Sequence, residues 1–308
     1  MADDGRPDPH LSRRAFLRGA SAGLAAGSLT LAGGCKYGTQ LFLISEPPKA
    51  DSQRPAWAGS RVQRYRPLGR TGFQMSDISF GCSGLDDAAV ARRGVERGIT
   101  YFDTSPDYSR AGSEIALGTG IHGTPRDRLF VVSKFCTPDG HLATDTPVPA
   151  VIESVEASLR RLGTDHLDIV LMHCLTEGDW TTRYEPVMDV LSEAKQKGVI
   201  RAHGCSCHSI EALRAAAKSP WVDVDLARVN PVGAHMDAEP DTVISVLREM
   251  KASGKGVIGM KILGQGALRD RQDEALRFAL GLGVLDAFTI GAESIAEQND
   301  LTKRIAAA

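Results

Sequence analysis

VIESVEASLRRLGTDHLDIVLMHC, residues 151–174, holds a helix, its stop and a strand in one unbroken run. Val151, Ile152, Val155, Leu159 and Leu162 recur at helical spacing, which gives one apolar face and leaves the charged residues on the other. Gly163 follows the last of them, where a left-handed residue ends a helix at least cost. LDIVLMHC then reads as a short apolar strand that ends on His173.

The same unit recurs on either side. Further strand candidates are DISFG near 77, TYFDT near 100, LFVVSKF near 129, VIRAHGC near 199, VDLARVN near 224, GVIGMKIL near 256 and LDAFTIG near 285. Amphipathic stretches such as AAVARRGVERG, VMDVLSEAKQKG, IEALRAAAK, TVISVLREMKASG and DEALRFALGL separate them, and Gly98 and Gly198 mark two more helix ends. Eight strands in strict alternation with helices point to an α/β chain closed into a (β/α)8 TIM barrel, because an open doubly wound sheet usually has fewer strands. GTGIHG, 118–123, matches the spacing of a dinucleotide fingerprint but follows a helical stretch, so it is read as a helix end and turn.

The chain has 308 residues and a formal net charge of -2, with no basic stripe to follow a phosphate backbone. Nucleic acid is therefore not an expected partner, and a small molecule is. The N-terminus resembles a twin-arginine export signal through Ser12, Arg13, Arg14, Phe16, Leu17 and Arg18, followed by a weakly apolar stretch rich in Gly, Ala and Ser. Cys35 closes this segment in AGGC, similar to a lipoprotein cleavage box, which makes it a candidate for lipid attachment. Pro47, Pro48 and Pro55 then lie among polar residues and argue for a tether. The expected organisation is a signal at 1–35, a tether at 36–64 and the barrel at 65–308. The expected location is the periplasm or the outer face of the membrane, reached through the twin-arginine export machinery. Contact with the membrane is expected only through the signal or a lipid.

Six cysteines in an exported chain raise the question of disulfides. Cys35 belongs to the signal boundary, which leaves the odd number of five near strand ends; reduced buried thiols are the preferred reading. HGCSCH, 203–208, offers Cys205 and Cys207 from one face of a strand as metal ligands. A further ligand at a recognisable spacing is lacking, so no metal is assigned.

Catalytic groups of such barrels gather where strands end. Asp103 ends the second strand, Tyr108 lies in its loop, Lys134 ends the third strand and His173 the fourth. An ammonium beside a tyrosine hydroxyl favours the ionised phenol, and a carboxylate keeps a buried ammonium charged. A histidine can hydrogen-bond a carbonyl oxygen, so the set suits carbonyl reduction. With these residues in hand, the chain resembles the aldo-keto reductase superfamily. The likeness runs through RPLGRTGFQMSDISFG (66–81), FDTSPDYSRAGSE (102–114), VVSKF and SLRRLGTDHLDIVLMH (158–173).

That resemblance implies a reductase dependent on NAD or NADP, acting on a small-molecule carbonyl, with Tyr108 as general acid, Lys134 and Asp103 as its tuning pair, and His173 orienting substrate. It also implies cofactor contacts at Ser206 and Cys207, where the family carries Ser-Asn, at Asn230, at Lys261 in place of a stacking aromatic, and at Gly291, Ala292 and Ser294 on a helix N-terminus. The basic residues that would neutralise the 2′-phosphate of NADP are missing from FTIGAESIAEQNDL, and Glu293 would repel it. Trp180 is expected to form part of a lid over the pocket. The departures at Cys207, Leu226 and Lys261 keep a second function open, an exported non-catalytic barrel serving as a ligand-binding or redox-sensing module.

Overall fold

A computed structural model describes residues 62, 64–136 and 147–308. The signal at 1–35 with Cys35, and all of the tether except residues 62 and 64, lie outside the described residues. An antiparallel hairpin opens the fold, with β1 (Tyr65–Pro67) and β2 (Gln74–Ser76). Eight parallel strands follow: β3 (Ser79–Gly81), β4 (Tyr101–Asp103), β5 (Phe130–Phe135), β6 (Leu167–Leu175), β7 (Ile200–Cys207), β8 (Val224–Arg228), β9 (Gly256–Met260) and β10 (Ala287–Gly291). They pair in chain order, and β10 closes onto β3 to make a barrel. Every strand expected from the sequence is present.

The outer helices are α1 (Ala88–Glu96), α2 (Gly112–Ile121), α3 (Val148–Leu162), the short α4 (Trp180–Arg183), α5 (Glu185–Gln196), α6 (Ile210–Lys218), α7 (Pro240–Ala252), α8 (Gln272–Gly281) and α9 (Ile295–Ala307). Their ends follow local chemistry. Asp87, Ser209 and Ser294 each accept a backbone N–H as N-caps of α1, α6 and α9. Gly98, Gly163 and Gly198 all carry positive φ at or just past the C-caps expected. GTGIHG runs off the end of α2, as its helical context requires.

Strand alternation divides the apolar residues into two cores. Inward side chains of the strands, among them Tyr101, Phe130, Ile169, Ala202, Val224, Leu226 and Ile258, pack with Leu68, Phe73 and Met75 of the hairpin. The hairpin therefore stops the N-terminal end of the barrel. Its turn approaches the barrel closely: Gly69 has φ +46°, and a Cβ there would lie 2.3 Å from the Gly256 nitrogen. Outward side chains pack under the helices in a second, larger core. Trp180 belongs to that outer core. It is fully buried, donates its indole N–H to the Ala212 carbonyl at 3.1 Å and meets Trp221 edge-on, so the expected lid role does not hold.

Candidate active site

At the opposite, C-terminal end of the strands, Asp103 and Lys134 come together from β4 and β5. The Lys134 ammonium is wholly buried and donates to Asp103 Oδ1 and, at 2.9 Å, to the Thr104 carbonyl. Asp103 Oδ2 accepts the hydroxyl of Tyr101 at 3.1 Å. Tyr101 stands two residues before Asp103 on the same face of the strand, and that spacing is the sequence signal by which this partner could have been found. Burial alone would lower the Lys134 pKa, but Asp103 and Tyr108 outweigh it and hold the ammonium charged far above neutrality.

Tyr108 sits over this pair, with the Lys134 nitrogen 4.5 Å from its ring centre. The phenol is pushed up to about 12, because burial outweighs the downward pull of Lys134 and Asp103 adds to the rise. The ammonium favours the ionised phenol as expected, but burial outweighs it and keeps the proton on Tyr108. The chain behind Tyr108 is sharply bent, with Ser109, Arg110 and Ala111 all at positive φ (48°, 51° and 69°) before α2 begins. Non-glycine residues seldom adopt this region, and at functional sites such conformations are held by their surroundings.

His173 ends the inward face of β6, and its ring meets Tyr108 edge-on at 6.3 Å. The next residue, Cys174, has φ +55°, and the β6–β7 ladder shifts register there, so the strand breaks just beyond the histidine. Asp107 approaches the Nε2 of His173 at 3.7 Å and accepts from Ser105 and, at 3.6 Å, from Cys136. Asp107 and Tyr101 are site members that the motif reading passed over. His208 lies beside His173 with ring centres 6.0 Å apart.

These groups border a cleft of about 410 Å³, lined by Asp103, Tyr108, His173, His208, Leu226, Lys261, Thr289 and Gly291. A larger hollow of about 740 Å³ lies among the ends of α2 and α3, beside Arg92, Arg126 and Arg161, and contains none of the four expected catalytic residues. The residues expected to hold a cofactor fall into two groups. Ser206 points inward from β7, and its buried hydroxyl finds no hydrogen-bond partner among the described residues; Thr289 is in the same condition. Lys261 and Gly291 line the cleft, and Ala292 is buried next to Gly291. Burial first, then Arg228, lowers the Lys261 pKa.

The other three are engaged elsewhere. Cys207 faces outward under the helices, in the larger core rather than the cleft. Asn230 is spent on its own loop: its amide nitrogen donates to the carbonyls of Ala234 and Lys261, and its oxygen accepts from the backbone of Val232 and Ala234. Ser294 caps α9 by accepting from the Glu297 N–H, while Glu297 in return accepts from the Glu293 N–H at 2.9 Å. Two backbone donors at this helix end are thus consumed, and two carboxylates stand nearby.

Comparison with known proteins agrees with this fold. The Aldo/keto reductase family profile matches residues 84–281. L-galactose dehydrogenase of Arabidopsis thaliana is 30% identical over 222 residues, covering 67% of each chain. The NADH-specific methylglyoxal reductase of Escherichia coli is 25% identical over 199 residues, 56% of this chain and 61% of its own length. An aldo-keto reductase of Bacillus halodurans, solved in its holo form, shares the fold with a TM-score of 0.65 over 79% of this chain and 90% of its own, at 20% identity. With a closed eight-stranded barrel and a family match across most of it, the chain belongs to the Aldo/keto reductase family, whose oxidoreductases use NAD(P)H.

Proposed function

We propose that this enzyme reduces the carbonyl of an aldehyde, ketone or sugar, with Tyr108 as the general acid. The observation that carries the reading is the buried chain Tyr101–Asp103–Lys134 at the mouth of the barrel, with the ammonium 4.5 Å from the ring centre of Tyr108. Bound NAD(P)H supplies the hydride. The orphaned hydroxyls of Ser206 and Thr289 fit the polar edge of such a cofactor, since each is a buried group that lacks a partner among the described residues. The Tyr108 hydroxyl gives its proton to the oxygen that becomes an alcohol. The phenolate left behind sits against the Lys134 ammonium, which Asp103 has kept charged, so the negative charge forms where a positive one is already fixed. His173, at the end of β6, orients the carbonyl towards Tyr108.

Glu293 and Glu297 at the α9 N-terminus favour NADH over NADPH, because a 2′-phosphate would meet carboxylates there. The similarity to an NADH-specific relative supports the same choice. Replacing Tyr108 with Phe tests the assignment. Turnover should fall by about 10²- to 10⁴-fold, while NADH still raises the melting temperature as it does for the parent. Undiminished turnover would remove Tyr108 as the acid, and a parent protein that turns over no carbonyl at all would move the chain to the second reading, a binding module. We further infer that residues 1–35 export the protein after it has folded around its cofactor, since a folded barrel can carry a bound nucleotide to a compartment that offers little of it.

A further inference from the structure

Cys205 and Cys207 point outward from β7, on the side away from the cleft. From the sequence alone they are two ligands lacking a third. The parallel register supplies it: Asp225 on β8 is the direct partner of Cys205. The Cys205 and Cys207 sulfurs lie 3.8 Å apart, and both stand against the same oxygen, Asp225 Oδ1, at 3.3 Å and 3.4 Å. All three residues are wholly buried. Among the described residues this is the one cluster of His, Cys, Asp and Glu side chains compact enough to surround a metal ion.

We propose that Cys205, Cys207 and Asp225 form a binding site for a thiophilic divalent cation of the zinc class, stapling β7 to β8. The triangle has the dimensions of one face of a zinc tetrahedron. With zinc–sulfur bonds of about 2.3 Å and zinc–oxygen bonds of about 2.1 Å, the edges of such a face are about 3.8 Å between sulfurs and about 3.6 Å from sulfur to oxygen. The donor set selects for softness, since two sulfurs disfavour calcium and magnesium.

A network of thiols hydrogen-bonded to the carboxylate accounts for the site less well. It directs both S–H donors to Oδ1 and leaves Asp225 Oδ2 buried with no partner among the described residues. On binding, the two thiols release their protons and the three groups together bring three negative charges, so a divalent ion leaves one. Lys255 stands within electrostatic reach of both Cys205 and Asp225 and balances it. The fourth corner is left for a small ligand such as water. The site is independent of the carbonyl chemistry, on the opposite face of the strand that carries Ser206.

Because the site is closed, the metal must enter during folding. Full-length protein should therefore be produced in cells grown with added zinc, and separately with added cobalt, and purified without chelators. Elemental analysis should find about one zinc per folded chain, and the cobalt form should show the strong near-ultraviolet absorption of thiolate bound to cobalt. Cys205→Ser/Cys207→Ser should abolish both signals, and Asp225→Asn should weaken retention by about 10- to 100-fold. Folded parent protein with less than about a tenth of an equivalent of metal and no cobalt–thiolate band overturns the proposal. Metal content unchanged in the folded double variant overturns it equally. Should the variants fail to fold, the two measurements on the parent protein decide.

Discussion

Lys134 is the residue whose surroundings are least forgiving. Its side chain has no exposed surface, and Asp103 is the carboxylate that neutralises it. Removing one member of a buried pair strands the other, at about 3–5 kcal/mol. Asp103→Asn should therefore lose stability of that order in urea unfolding, and adding Lys134→Met should restore much of it; a single variant as stable as the parent would contradict the pairing. The pH dependence follows from Tyr108. Its phenol is held up near 12, so the protonated form that the proposed reduction requires persists through neutral and mildly alkaline solution. Carbonyl reduction should show no loss attributable to this group between about pH 7 and 9. Alcohol oxidation needs the phenolate as base and should rise with pH over the same range. A steady-state profile in both directions checks the sign. Asp103, Lys134 and His173 were legible because each falls at or near a strand end, and Tyr108 because it lies in the loop that follows one, where the barrel collects its chemistry. Tyr101 went unread although its spacing from Asp103 was visible, while Asp107 was not legible, since periodicity tells which face a side chain takes but not what it meets. Asn230 was misread for the same reason: a polar residue near the expected place had already been claimed by its own loop.

At the scale of elements, β7 is where close packing is tightest. A Cβ on Gly204 would come 1.8 Å from the Val224 carbonyl oxygen on β8, and neither backbone can yield without parting the ladder. Gly204→Ala should cost several kcal/mol, about the scale of the larger core defects, or fail to give soluble protein. Gly281, the last residue of α8 with nothing near its Cβ position, provides the contrast. Gly281→Ala should be neutral or stabilising by about 0.5–1 kcal/mol. Denaturant midpoints of the two variants separate contact from backbone entropy. The eight strands and most of the helices between them were legible because those helices show a 3.6-residue period and several end at a glycine. The β1–β2 hairpin was not, because its three-residue strands stand outside the alternation of strand and helix that marks the others. Its role as a stopper depends on Leu68, Phe73 and Met75 meeting side chains from far along the chain.

For the molecule as a whole, closure decides much. A barrel whose last strand pairs with its first leaves no open sheet edge, so the domain is suited to travel folded. If residues 1–35 direct it through the twin-arginine route, Arg13→Lys/Arg14→Lys should leave active, nucleotide-bound enzyme in the cytoplasm, as cell fractionation with an activity assay would reveal. Equal export of the variant would remove that reading. The pair Arg13–Arg14 is legible only as a motif, since export depends on a receptor and not on the fold. The bend at Ser109, Arg110 and Ala111 has a consequence for every turnover. Three side-chain-bearing residues pressed into a left-handed path behave like a leaf spring against its stop, not like a hinge. The phenol in front of them meets each incoming substrate already aimed, and the disorder given up in aiming it is surrendered once, when the chain folds.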